Sequence, residues 1–148
     1  MSRRLLIAVL ALIAIPLSVL SQHAQSVAVE FLSGGVCVRG QFFPSVGDSS
    51  IGTLLLVPGW PGNPMDVLGL GAFLAERDIN VLMFNPRGMH GSEGTTSFAH
   101  ALEDIEAALA WLKQPEIRER FKVDANKITL GGYSWGGGIR CGVSGIPR

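Results

Sequence analysis

Residues Lys127 to Gly138 read K-I-T-L-G-G-Y-S-W-G-G-G. The apolar run Ile128 to Leu130 has the character of a strand, and Gly132-Tyr133-Ser134-Trp135-Gly136 behind it fits the pattern G-x-S-x-G. That spacing admits few backbones. A serine lifted above the end of a sheet sits on a strained strand-to-helix turn, and side chains two residues before or after it would collide with neighbouring backbone. Glycine removes the collision. A helix that follows aims its first amides at the group held there, so the Trp135 N–H is placed to donate to an oxyanion beside Ser134. Glycine-rich turns join strands to helices in many folds, so the five residues acquire meaning only from their surroundings.

Upstream, Val27–Phe31 and Val36–Phe43 are rich in Val and Phe and are separated by Ser33-Gly34-Gly35, the signature of two strands in a hairpin. In the second, Val36, Val38 and Phe42 share a face, with Arg39 and Gln41 towards water. Thr53–Val57 is a continuous apolar run after a polar turn, which suits a central strand buried on both faces. Pro58-Gly59-Trp60-Pro61-Gly62 can continue neither strand nor helix. Asn63-Pro64 then reads as an N-cap with proline at the first helical position, followed by Val67, Leu70, Phe73 and Leu74 at helical spacing. Ile79–Phe84 is another apolar strand, completing a strand-helix-strand crossover. Asn85 to Gly94 is a glycine-rich loop at the functional edge of such a sheet. Beyond Ser97, Phe98, Leu102, Ile105, Leu109 and Leu112 recur at helical spacing, with Glu103, Asp104, Glu106 and Lys113 off that stripe. Pro115 ends this helix, and Ile117–Phe121 reads as one more short helical turn. The alternation implies a mostly parallel sheet flanked by helices.

At the other end, Met1-Ser2-Arg3-Arg4 precedes the apolar run Leu5–Leu20, and small residues follow, with cleavage expected after Ser21 or Ser26. Residues 1–26 therefore read as a signal peptide, with an uncleaved membrane anchor as the alternative, and the expected location is exported, periplasmic or secreted. Cys37 and Cys141 are the only cysteines. Spacing alone does not pair them, and each also suits a small buried hydrophobe. Lys and Arg total 12 against 12 Asp and Glu. With no basic stripe, the chain lacks the electrostatic footprint of a nucleic-acid binder. No metal or cofactor motif stands out, and the glycines fit neither G-x-G-x-x-G nor a phosphate loop ending in Lys-Ser/Thr, which argues against nucleotide binding.

Four stretches, taken in order, resemble the α/β-hydrolase superfamily, in particular its dienelactone-hydrolase-like and prolyl-oligopeptidase-like serine hydrolases. They are L-L-L-V-P-G-W-P-G, N-P-R-G-M-H-G-S-E-G, A-L-E-D-I-E-A-A-L-A-W-L and V-D-A-N-K-I-T-L-G-G-Y-S-W-G-G-G. The resemblance as a whole extends over roughly Val27 to Gly138. The resemblance implies Ser134 as nucleophile, Gly132 and Gly136 as the elbow glycines, and the amides of Trp135 and Trp60 as an oxyanion hole. Pro58 stands where many members have histidine. The implied activity is hydrolysis of an ester or peptide bond in a small molecule or peptide through an acyl-enzyme, without a cofactor.

In this fold the triad runs Ser, then Asp or Glu, then His along the chain. Ser134 is followed by W-G-G-G-I-R-C-G-V-S-G-I-P-R, which contains none of these. A serine hydroxyl needs a base within reach to become a nucleophile. Of the three histidines, His23 falls in the cleavage region, His100 in a helix, and His90 in a loop at the right sheet edge, where the resemblance implies a structural or substrate-rim role. Gly137, Gly138, Gly142, Gly145 and Pro147 oppose the long helix the family has after the elbow. The expectation is an incomplete domain over residues 27–148, truncated after the elbow, with the serine-bearing strand as an apolar edge open to self-association. A non-catalytic remnant or small-molecule-binding module is the alternative function.

Overall fold

The computed structural model describes residues 24–47, 50, 52–62 and 66–144, with residues 140–144 as backbone alone. Residues 1–23 of the expected signal peptide, the expected Asn63-Pro64 cap and the side chain of Cys141 lie outside the described residues. Among these residues, no helix is long and apolar enough to cross a membrane.

Among the described residues, five strands form one sheet in the order β1-β2-β4-β3-β5: β1 (Val27–Ser33), β2 (Val36–Phe43), β3 (Gly52–Val57), β4 (Ile79–Phe84) and β5 (Ile128–Gly132). The hairpin of β1 and β2 turns at Gly34 and Gly35, both at positive φ, and pairs Val27 with Phe42 at its far end. β2 then runs antiparallel to β4, while β3 lies parallel to both β4 and β5. Parallel pairing demands crossovers, and helices supply them.

Alternate residues of the two central strands point into different cores. Leu55 and Val57 of β3, with Leu82 and Phe84 of β4, join one cluster, whereas Leu56, Val81 and Met83 join another on the opposite face. That double burial is why these strands read as unbroken apolar runs. The first cluster is closed by α2 (Phe98–Leu112), α3 (Pro115–Phe121) and α4 (Trp135–Ser144), through Ala101, Ile105, Ala108, Trp111, Leu112, Phe121 and Ile139. The second is closed by a 3-10 turn, Val67–Gly69, and the short α1 (Leu70–Ala75).

Three expectations need correction. The α-helix after β3 begins at Leu70, because Leu68 and Gly69 take positive φ of 56° and 70° and break the winding before it. The Asp66 carboxylate then accepts from the amides of Gly71 (2.6 Å) and Ala72 (2.9 Å), satisfying donors at the new helix start. In α2 the buried stripe includes Asp104, fully buried, while Phe98 is half exposed. Finally, the glycine-rich segment after Ser134 is helical over Trp135–Ser144 despite its low propensity. The Gly137 and Gly138 amides bond to the Ser134 carbonyl, and Ile139 is fully buried against the core, so tertiary packing overrides propensity.

Candidate active site

The elbow is built from the end of β5. Register pairs Val57 with Gly132, and the Tyr133 amide still bonds to the Val57 carbonyl at 3.1 Å, so the chain keeps sheet contact up to the residue before the serine. Ser134 then turns to φ 54° and α4 starts at once. Both flanking glycines are required by backbone. A Cβ on Gly132 would fall on the Gly136 carbonyl, and one on Gly136 would strike the carbonyls of Val57 and Pro58. The sharp reversal leaves the Ser134 side chain exposed at the carboxyl ends of the parallel strands.

The loop after β3 faces it. A turn closes from the Gly62 amide to the Gly59 carbonyl (2.7 Å), and a Cβ added at Gly59 would sit 3.1 Å from the Ser134 Cβ and 3.2 Å from the Tyr133 ring. Trp60 and Trp135, one from each side of this junction, meet edge to face with ring centroids 6.3 Å apart and planes at 67°. Trp135 opens α4, where the first amides lack intrahelical acceptors. Among the described residues neither the Trp135 nor the Trp60 amide donates a hydrogen bond. The structure thus brings together Ser134, Gly132, Gly136, Trp135 and Trp60 at one place.

Among the described residues no hydrogen bond joins the Ser134 hydroxyl to an Asp, Glu or His. His90, at φ 30° and exposed, instead lies against Gly62, where an added Cβ would be 3.2 Å from its Cδ2. His100 points its Nδ1 at the Thr95 carbonyl, 2.8 Å away. No three His, Cys, Asp or Glu side chains among the described residues gather as a metal site would need. Cys37 is a free thiol, half-buried, whose pKa rises through desolvation and the nearby Glu30 carboxylate.

The loop Asn85–Ser97 is held by a group that composition and spacing did not reveal. The Arg87 guanidinium, 7% exposed, donates from Nε to Asp104 Oδ1 (2.7 Å) and from Nη2 to Glu103 Oε2 (2.5 Å) and the His100 carbonyl (3.0 Å). Its own backbone amide donates to the other Asp104 oxygen at 2.8 Å. The hydrogen bond from Arg87 holds the Glu103 carboxyl below its ordinary range. A hint was available: Asp104 stands on the stripe Ala101, Ile105, Ala108, Leu112, the buried face of α2. A second anchor is Ser92, whose hydroxyl donates to the Asn85 carbonyl (2.6 Å) and accepts from the Arg39 amide (2.9 Å).

A cavity of about 360 Å³ lies at the other end of the sheet, lined by Gly52, Thr53, Leu54, Leu74, Ile79, Lys127 and Thr129. Apart from Leu74 of α1, these residues lie in or just before the first halves of β3, β4 and β5, so the cavity is at the end of the strands opposite the serine.

Comparison with known proteins agrees with this architecture. The chain is 35% identical over 114 residues to the uncharacterized protein YfhR of Escherichia coli (strain K12), a match covering 74% of this chain and 38% of that protein. The chain therefore spans well under half the length of this curated relative. Among solved structures, the alpha/beta hydrolase GrgF from Penicillium sp. sh18 superposes with a TM-score of 0.72 at 22% identity, over 83% of this chain and 42% of that one. The Pyrococcus furiosus esterase Pf2001 gives a TM-score of 0.65 at 20% identity, over 83% of this chain and 48% of the esterase. Residues 52–141 match the family of the alpha/beta hydrolase fold. With strand order, elbow and matched span in agreement, the chain belongs to the alpha/beta hydrolase family.

Proposed function

We propose that residues 52–141 carry the nucleophile half of a serine hydrolase that cleaves an ester or peptide bond through an acyl-enzyme. The observation that supports it most is the backbone at Ser134: a non-glycine residue at positive φ, exposed, between two glycines that no other residue could replace without a backbone clash. Strain of this kind persists where the surroundings enforce it, and it clusters at sites of chemistry.

In the proposed reaction the Ser134 oxygen attacks the substrate carbonyl and its proton passes to a general base. The carbonyl oxygen, now negative, is stabilised by the amides of Trp135 and Trp60, and collapse expels the leaving group to give an ester on Ser134. Water then attacks that ester, returns a proton to the serine and releases the acid. The base and the acid that orients it are proposed to come from the portion of a full-length hydrolase beyond the matched span, where chain order in this fold puts them.

The test uses the protein as its host makes it, treated with an alkyl fluorophosphonate. Labelling is expected at Ser134 and absent in Ser134→Ala. Labelling that persists in the alanine variant, or never occurs in a folded protein, overturns the proposal.

A further inference from the structure

The turn that carries the Trp60 amide has little stiffness of its own. Gly59 and Gly62 open and close it without side chains, and among the described residues one backbone hydrogen bond, from the Gly62 amide to the Gly59 carbonyl, spans it. A donor that is to meet a developing oxyanion must be held in place beforehand, because reorganising it during the step forfeits part of the stabilisation. The stiffness has to come from what packs against the turn.

Both ends are packed. At Gly59 the neighbour is the serine elbow, as described above. At Gly62 it is the loop after β4: an added Cβ would lie 2.7 Å from Asn85 Oδ1, 3.2 Å from Met89 Cβ and 3.2 Å from His90 Cδ2. The turn is thus clasped between elbow and loop, with no room for a methyl group at the second contact. Of the three groups at Gly62, Asn85 comes nearest and is fixed most firmly. It is buried, its amide donates to the Arg39 carbonyl (2.9 Å), and its carbonyl accepts from the Ser92 hydroxyl (2.6 Å), which in turn accepts from the Arg39 amide. Its backbone is therefore tied to β2 twice, and Arg87, two residues on, fastens the same loop to α2. A short side chain on a backbone so fixed is a rigid prop. His90, by contrast, is exposed, and Met89 meets Gly62 with its Cβ, which any residue but glycine supplies.

We infer that Asn85 is a positioning residue for the proposed oxyanion hole: its side chain presses the Gly59–Gly62 turn towards the elbow and so holds the Trp60 amide where a substrate carbonyl oxygen becomes negative. It acts through the turn and not on the substrate. This rests on the serine-hydrolase reading above. Asn85→Ala opens a gap beside Gly62 into which the turn relaxes, away from Ser134. A bound ester, with its neutral carbonyl, feels little of that, whereas the oxyanion loses part of a donor.

The experiment follows 4-nitrophenyl acetate hydrolysis by the protein as its host makes it, by Asn85→Ala and Asn85→Ser, and by Leu74→Ala as a destabilised control at the opposite end of the sheet. Each rate is divided by the sites that an alkyl fluorophosphonate labels at completion, so that unfolded protein does not count. In Asn85→Ala, kcat per labelled site is expected to fall about tenfold, short of the roughly 10²–10³ seen when a donor is lost outright, with KM changed less than about twofold. Affinity for an alkyl trifluoromethyl ketone, which adds the serine oxygen to form an oxyanion, is expected to fall by the same factor as kcat/KM. Asn85→Ser, gentler on the fold but too short to reach Gly62, is expected to lose in the same direction, and Leu74→Ala to keep both values per labelled site. Unchanged kcat per labelled site in the Asn85 variants, a loss confined to KM, an unchanged ketone affinity, or an equal loss in Leu74→Ala overturns the positioning role alone. Absence of labelling in the unaltered protein overturns the serine-hydrolase reading, and this inference with it.

Discussion

Ser134 holds a φ of 54°, where an L-residue meets its own carbonyl. The conformation is stabilised from both sides, by the Tyr133 amide on Val57 before it and by the Gly137 and Gly138 amides on its own carbonyl after it. Such a position exchanges stability for geometry. Ser134→Gly is therefore expected to be more stable than Ser134→Ala by about 1 kcal/mol, since both lose the hydroxyl and only glycine relieves the backbone. Urea unfolding of the two variants reads the difference, and equal midpoints would mean that no strain resides there. The motif glycines were legible as a pattern. What Gly136 avoids was not, because the Val57 carbonyl that it approaches lies far away in sequence.

Among the elements, α2 has the clearest double duty. One stripe closes the main core, and in that stripe Asp104 reaches out to hold Arg87 at the mouth of the loop after β4. Removing one partner of a buried pair leaves the other charge without compensation. Asp104→Ala is expected to lower stability by about 1–3 kcal/mol, since the Arg87 amide and Nε lose their acceptor while Nη2 keeps Glu103, and adding Arg87→Met to it should recover part of that loss. Denaturant titration of the single and double variants checks this; a double variant less stable than the single would contradict it. The helical periodicity of α2 was visible in the chain, whereas the burial of an acidic residue within it depended on a partner from another loop. For α4 the propensities pointed the wrong way. Its glycines weaken the helix locally, but the turn at Ser134 launches it and Ile139 is buried against the sheet.

At the scale of the whole molecule, the sheet carries unequal layers. One face packs α2, α3 and α4 over aromatic contacts such as Phe42 on Phe121, stacked at 4.2 Å; the helical cover of the other, among the described residues, is α1 and the 3-10 turn. Ile105, fully buried in the thicker layer, should lose about 2–5 kcal/mol on replacement by alanine. Leu74, half-buried on the thinner face beside the cavity, should lose distinctly less. Urea titration of Ile105→Ala and Leu74→Ala tests the asymmetry, and equal losses would show that both layers are equally tight. Opposed to the thin layer's cavity, at the other end of the strands, sit Ser134 and its aromatic neighbours.

Local chemistry was enough to locate the strands, the hairpin, α2 and the serine turn, since apolar period and glycine spacing are properties of neighbouring residues. The alternation of strand and helix also implied a parallel sheet. Sheet order, with β4 between β2 and β3, the late start of α1, the helical α4 and the Arg87–Asp104 pair were decided by the folded molecule. Each depends on groups distant along the chain that meet only when the backbone closes, so the same residues considered one segment at a time contain no sign of which neighbour they will find.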